Sequence, residues 1–135
     1  MFDLSSAPSY GIHRHLDGAI YADVVARTKA ALATEGFGVL TEIDIRATMK
    51  AKLDYDTAPY VILGACNPGL AREALSVEAA VGLLLPCNVV VAETPTGVAV
   101  AAVDPVAMFE VVGRAEVQPM ARAVRDKLLR AIAAL

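Results

Sequence analysis

Hydrophobic positions recur along this chain with two periods, and each period predicts a different kind of element. Alternation or short continuous apolar runs predict strands; Val39, Thr41 and Ile43, for example, share one face of such a segment. Five segments are predicted strands on this basis: residues 10–16, 39–43, 60–65, 83–92 and 98–103. The Thr94-Pro95-Thr96-Gly97 turn signal predicts that the last two strands form a hairpin.

Spacings of three and four predict the helices, which lie between the strands and at the end of the chain. Helices are predicted at residues 20–35, 45–53 and from Pro68, with a helical turn at 105–112 and a long helix at 116–135. The long helix has one apolar stripe, formed by Val117, Met120, Val124, Leu128, Ile132 and Leu135. Gly36 suits a left-handed C-terminal cap, and Asp44 suits an N-cap.

The order of these elements predicts an α+β fold. Strands alternate with helices early and a hairpin completes the sheet, which favours a mixed or mostly antiparallel sheet with helices mainly on one face. The length of 135 residues suits one domain, predicted at 10–135 after a flexible tail at 1–9.

The composition and charge of the chain argue against some classes of binding partner and favour others. The net charge of −3 comes without any cluster of basic residues, which excludes the usual footprint of nucleic-acid or anionic-membrane binding. The longest apolar uncharged stretch, residues 79–92, is too short for a membrane-spanning helix. Hydrophobic residues make up 56% of the chain, an excess that predicts a buried subunit interface and hence a homodimer.

Two cysteines exclude a disulfide scaffold, and the start of the chain has no secretory signal, so we expect a soluble cytoplasmic protein.

Each cysteine lies at the edge of a predicted strand and precedes an asparagine: Cys66-Asn67-Pro68 and Cys87-Asn88. Functional groups often emerge where strands end, and a thiol near a helix start is more acidic. The structural alternative stays open, with buried cysteines and Asn67 as a helix cap.

The histidines and two carboxylates are the other candidates for metal binding or acid–base chemistry. His13 and His15 share a strand face and make a Cys2His2 zinc site conceivable, but the spacing is not that of a metal motif and no metal or cofactor is predicted. Nothing in the sequence places a base beside either cysteine. Glu42 and Asp44 share a face, as acid–base pairs can, although a solvated edge strand and a cap explain them as well.

Read together, Glu42-Ile43-Asp44, Lys50-Ala51-Lys52-Leu53, Leu63-Gly64-Ala65-Cys66-Asn67-Pro68, Leu83 to Val89 and Asp104-Pro105 resemble the domain-of-unknown-function 302 family, also called TT1751-like. The resemblance covers residues 10–135. It implies a TBP-like fold in which helices back a curved sheet, and homodimers, but no reaction. It also implies these signature positions: Asp44, Lys52, Cys66, Asn67, Pro68, Cys87 and Asn88. Members often have a histidine where this chain has Arg72, a fixed positive charge suited to an anion.

These observations favour a dimeric protein that binds or senses a small polar or anionic ligand. The predicted pocket is lined by Cys66, Asn67, Cys87 and Asn88, with Lys52 or Arg72 supplying positive charge. One alternative is a thiol-dependent redox protein or enzyme that uses Cys66 or Cys87. A second alternative is a structural or protein-interaction domain. No catalytic constellation is recognisable in the sequence.

Overall fold

The computed structural model describes residues 2–135. Its strands are β1 Gly11–Asp17, β2 Gly38–Asp44, β3 Tyr60–Cys66, β4 Cys87–Thr94 and β5 Gly97–Val103. Its α-helices are α1 Tyr21–Thr34, α2 Ile45–Leu53, α3 Pro68–Val77, α4 Pro105–Phe109 and α5 Gln118–Ala133, with 3₁₀ turns at Ala79–Leu84, Glu110–Val112 and Ala115–Val117. Across residues 2–135, the helices are all too short or too polar to cross a membrane.

The five strands form one sheet in the order β1-β5-β4-β3-β2, and every neighbouring pair is antiparallel. Four antiparallel steps separate the two edge strands, so β1 and β2 run in the same direction. Helix α1 joins them by crossing the sheet. The predicted α+β class with an antiparallel sheet is therefore confirmed, and so is the β4–β5 hairpin.

The core lies between one face of the sheet and the helices. Alternate residues of the three central strands point to this face and are fully or almost fully buried: Val61, Leu63, Val89, Val91, Val98 and Val100. Val24 and Leu32 of α1 and Leu128 of α5 complete the same cluster. Each such side chain contributes roughly 1.5–3 kcal/mol by leaving water. The predicted stripe on the last helix is buried from Val117 to Ile132, which confirms which side of α5 faces the core.

Helix ends follow the capping rules that the sequence indicated. Gly36 has φ of +82° directly after α1, a conformation that a Cβ would strain. Asp44 caps α2 because its Oδ1 accepts a hydrogen bond from the N–H of Ala47 at 2.9 Å. Pro68 opens α3, where its missing N–H costs nothing.

The prediction of one strand over residues 83–92 is wrong in its first part. Leu83 and Leu84 belong to a 3₁₀ turn, and β4 begins only at Cys87, after a cis Leu85–Pro86 bond. Pro86 has no N–H to donate to a sheet ladder, so the strand starts after it despite the apolar run.

The segment before β1 packs on the sheet face opposite the core. The ring of Phe2 lies 6.1 Å from that of Tyr55 and 6.3 Å from that of Tyr60. The backbone oxygen of Leu4 lies 2.8 Å from Nε2 of His13. Residues 2–10 thus have no strand or helix but do contact the domain; Met1, part of the predicted tail, lies outside the described residues.

Candidate functional site

The two Cys-Asn segments meet where β3 ends and β4 begins. Ala65 stands opposite Cys87 in the antiparallel register, which brings Cys66 to the same end of the strand pair. Cys66, Asn67 and Cys87 all line one small cavity of about 20 Å³. Its other walls are largely apolar side chains: Phe37, Ala65, Leu70, Ala71, Ala74, Leu85, Phe109, Met120 and Val124. Such a volume holds one water molecule or one methyl group.

Cys87 is the inner thiol of this cavity and is only 5% exposed. Burial raises its pKa to about 11, with a smaller contribution from the neighbouring Cys66. Cys87 is therefore a neutral thiol at physiological pH and behaves as a small apolar group rather than a nucleophile. Cys66 is half-buried and is the more accessible thiol of the two.

Asn67 contacts both helix α3 and the loop that follows α1. Its Oδ1 accepts a hydrogen bond from the N–H of Leu70 at 3.3 Å, so the predicted cap of α3 is confirmed. Its Nδ2 lies close to Gly36, where an added Cβ would come within 3.0 Å of that nitrogen. Asn67 thus fixes the start of α3 against the loop that follows α1, beside the two thiols.

Gly64, which belongs to one of the signature segments, makes a close contact that the sequence analysis did not predict. Gly64 lies in β3 between Thr41 of β2 and Pro86, and a Cβ there would overlap Thr41 Oγ1 and lie 2.8 Å from Pro86 Cγ. The Leu-Gly-Ala-Cys and Leu-Pro-Cys-Asn segments are therefore joined by packing as well as by the cavity. The signal was the glycine inside an otherwise apolar strand, which often marks a close approach.

Asn88 is not part of this cavity, and the predicted four-residue pocket needs correction. Asn88 directly follows Cys87 in β4, and successive strand residues point to opposite faces. The structure places Cys87 on the core face and Asn88, which is exposed, on the other face beside Tyr60 and Val90.

Neither of the two predicted positive charges, Lys52 and Arg72, lines the thiol cavity. Lys52 is exposed in the last turn of α2 and does not line the cavity, and Asp44 at the other end of that helix acts as its cap. Glu42 forms an ion pair with Lys29 at 2.8 Å. Glu42 and Asp44 thus have structural partners.

Arg72 lines a groove of about 640 Å³ between α3 and the start of α5. Ala74 and Met120 line both this groove and the thiol cavity, so the two spaces are neighbours separated by these side chains. Glu73 and Glu116 also line the groove, and Glu116 has an arginine partner because its carboxylate lies 3.8 Å from Arg114. Arg72 was predicted from the sequence as a source of positive charge, whereas the groove was not predicted.

The histidines lie apart from the cysteines. His15 Nδ1 lies 2.9 Å from Asp17 Oδ1, and its Nε2 lies 2.7 Å from Thr94 Oγ1. Both histidines are on edge strand β1, and β5 separates β1 from β4. Within residues 2–135 no group of three or more His, Cys, Asp or Glu side chains is placed to hold a metal ion.

The protein is a small α+β protein with a five-stranded antiparallel sheet, and its two Cys-Asn segments lie at one end of the β3–β4 pair. A family model described as "Domain of unknown function DUF302" matches residues 13–135, and the chain belongs to this family. The crystal structure of an uncharacterized conserved DUF302 protein from Bacillus stearothermophilus is similar, with a TM-score of 0.86 and 22% sequence identity over 94% of this chain and 98% of that chain. That likeness concerns the fold. A search of the curated proteins found no match.

Proposed function

We propose that this protein binds or senses a small organic anion in the groove between α3 and α5, next to the separate cavity that Cys66 and Asn67 line. One observation carries the proposal: Arg72 lies on the wall of a large groove that shares Ala74 and Met120 with the thiol cavity. A concave site with apolar walls and few polar groups is the usual form of a small-molecule site.

The lining determines the chemistry of the ligand. The Arg72 guanidinium can bind a carboxylate or phosphate through two parallel hydrogen bonds. Glu73 and Glu116 on the same walls would repel further negative charge, so the ligand carries a single charge. Val77, Val117, Pro119 and Met120 offer apolar contact. The ligand class is thus a small monoanion with a short apolar end, such as a branched short-chain carboxylate.

Titration calorimetry with isobutyrate tests this proposal. Arg72→Gln should weaken binding about tenfold or more, because a charge-assisted hydrogen bond contributes about 1.5–3 kcal/mol. Arg122→Gln is the matched control, since Arg122 is exposed on α5 and does not line the groove. Equal affinity in both variants would rule out Arg72 as the anion-binding group.

Thiol chemistry is the weaker alternative. The raised pKa of Cys87 keeps that sulfur protonated, and both histidines lie on β1 with contacts of their own. A redox or nucleophilic role would therefore fall to Cys66, without an imidazole base beside it. We place the protein in the cytoplasm, where two free thiols remain reduced.

We also propose a homodimer, formed through the free edge of β2. This strand pairs with β3 on one side, and nothing in residues 2–135 pairs with its other side. Apolar side chains are exposed there: Leu40 by 66%, Ile43 by 47% and, at the end of α2, Leu53 by 70%. Such an edge is a template for another strand. Antiparallel pairing of two β2 strands about Thr41 would set Glu42 opposite Leu40, which avoids facing carboxylates.

A further inference from the structure

The face of the sheet opposite the core carries a second pocket, which the proposed function does not use. It has a volume of about 230 Å³ and lies between the sheet and the segment that precedes β1. Leu4, Pro8 and Tyr10 of that segment form one side, and Tyr60, Asn88 and Val90 of the sheet form the other. Its floor is made of small residues, including Ala101 and Ala102 of β5. No charged side chain is among its lining residues.

Hydrogen bonds hold the covering segment in place, so the pocket exists before any ligand binds. The N–H of Gly11 donates to the oxygen of Pro8 at 3.2 Å, and the N–H of Asp104 donates to the oxygen of Tyr10 at 2.8 Å. The contact between His13 and the oxygen of Leu4 adds a third anchor. A preformed site avoids the entropy cost of ordering a loop on binding.

Asn88 is the only side-chain amide in this pocket. It is exposed and lies next to Tyr60 and Val90 in the lining. A carboxamide presents a donor and an acceptor side by side. Tyr60 adds a hydroxyl group that stays protonated, because burial and then Tyr10 raise its pKa. These groups suit a partner that also has a donor next to an acceptor.

We propose that this pocket binds a neutral, single-ring planar molecule with an amide-type edge, which pairs with the carboxamide of Asn88. The volume suits one ring with a substituent, since a cavity of roughly 150 Å³ holds benzene. The rings of Tyr10 and Tyr60 offer aromatic contact. The ligand is neutral because a charge here would lose its water without gaining a partner.

An NMR titration with benzamide tests the pocket. Benzamide should shift the amide signals of Asn88, Val90 and Ala101, whereas benzoate, the charged analogue of similar shape, should leave them unchanged. Asn88→Ala should weaken benzamide binding about tenfold, the value of one or two lost hydrogen bonds. Asn88→Asp should weaken it as well, because the carboxylate lacks the donor.

Because Asn88 is exposed, both variants should melt within a few degrees of the parent protein, which separates a binding effect from a folding effect. Arg72→Gln should leave benzamide binding unchanged, so this site and the α3–α5 groove can fail independently. Unchanged benzamide affinity in Asn88→Ala, or no shift of these signals in the parent protein, would overturn the proposal.

Discussion

At the scale of single residues, two groups of side chains differ in burial and in what they contact. Gly64, Asn67 and Cys87 hold β2, β3, β4 and α3 together through close contacts and burial. Arg72 and Asn88 are exposed and line separate concave spaces. The first group therefore contributes to the packing of the fold, and the second group contains the residues that we propose bind ligands.

Replacing Gly64 by alanine should destabilise the protein by about 1–3 kcal/mol, the usual cost of overpacking. The new Cβ would overlap Thr41 Oγ1 and press on Pro86, and both neighbours belong to packed backbone segments. Urea unfolding measures the change. Gly38→Ala in the neighbouring strand is the control, since a Cβ there has no atom within 4 Å. Equal stability of the two variants would show that the Gly64 contact is not restrictive.

Cys87 should make stability depend on pH in the alkaline range. Its folded pKa is raised from 9.0 to about 11, so its neutral thiol stabilises the fold fully below pH 9, and this contribution is lost as the pH rises toward 11. The loss should be on the order of 2 kcal/mol. Denaturant unfolding of the parent protein and Cys87→Ala from pH 8 to 11 measures it. A decline of equal size in the variant would assign the effect to other groups, such as Tyr21.

At the scale of elements, capping decided which boundaries could be predicted. The predicted bounds of α2 are correct, and its start could be predicted because Asp44 is a strong N-cap signal. It misplaced the start of β4, because the apolar run before Pro86 has the same composition whether it forms a strand or a turn. Strand alternation alone predicts that Cys87 and Asn88 point to opposite faces of the sheet. The α3–α5 groove could not be predicted from the sequence, because it depends on how two distant segments pack.

Asn67→Ala should cost about 1 kcal/mol of stability through loss of the α3 cap. Asn67→Asp keeps an oxygen acceptor for the N–H of Leu70 and places a negative charge at the helix start, so it should restore most of that loss. Urea unfolding of the three proteins at pH 7 makes the comparison. If the aspartate variant is as unstable as the alanine variant, the contact of Nδ2 near Gly36, rather than the cap, carries the contribution of Asn67.

At the scale of the whole molecule, the sheet has one face in the core and one face partly covered by residues 2–10, and β2 leaves one edge open. The hydrophobic composition indicated an interface but not its place, because exposed and buried apolar residues look alike in a sequence. Leu40 and Ile43 on β2 and Leu53 at the end of α2 are exposed beside the open strand edge, which is where we propose that a second copy binds.

Leu40→Lys should convert the proposed dimer into a monomer, because it places a charge at the centre of the interface. Leu83→Lys is the matched control: Leu83 is 88% exposed but lies in the 3₁₀ turn before β4 and belongs to neither β2 nor α2. Sedimentation velocity of the parent protein and both variants separates the outcomes. A monomeric parent protein, or a Leu40→Lys variant that stays dimeric, would contradict this interface.

We propose above that the α3–α5 groove binds a small monoanion through Arg72. An NMR titration with isobutyrate tests this binding most directly, because the shifted signals locate the bound anion wherever it lies. We predict saturable shifts at Ser76, Val77 and Met120, which line the groove, and their loss in Arg72→Gln. Saturable shifts that cluster elsewhere, or that persist undiminished in Arg72→Gln, would contradict the claim.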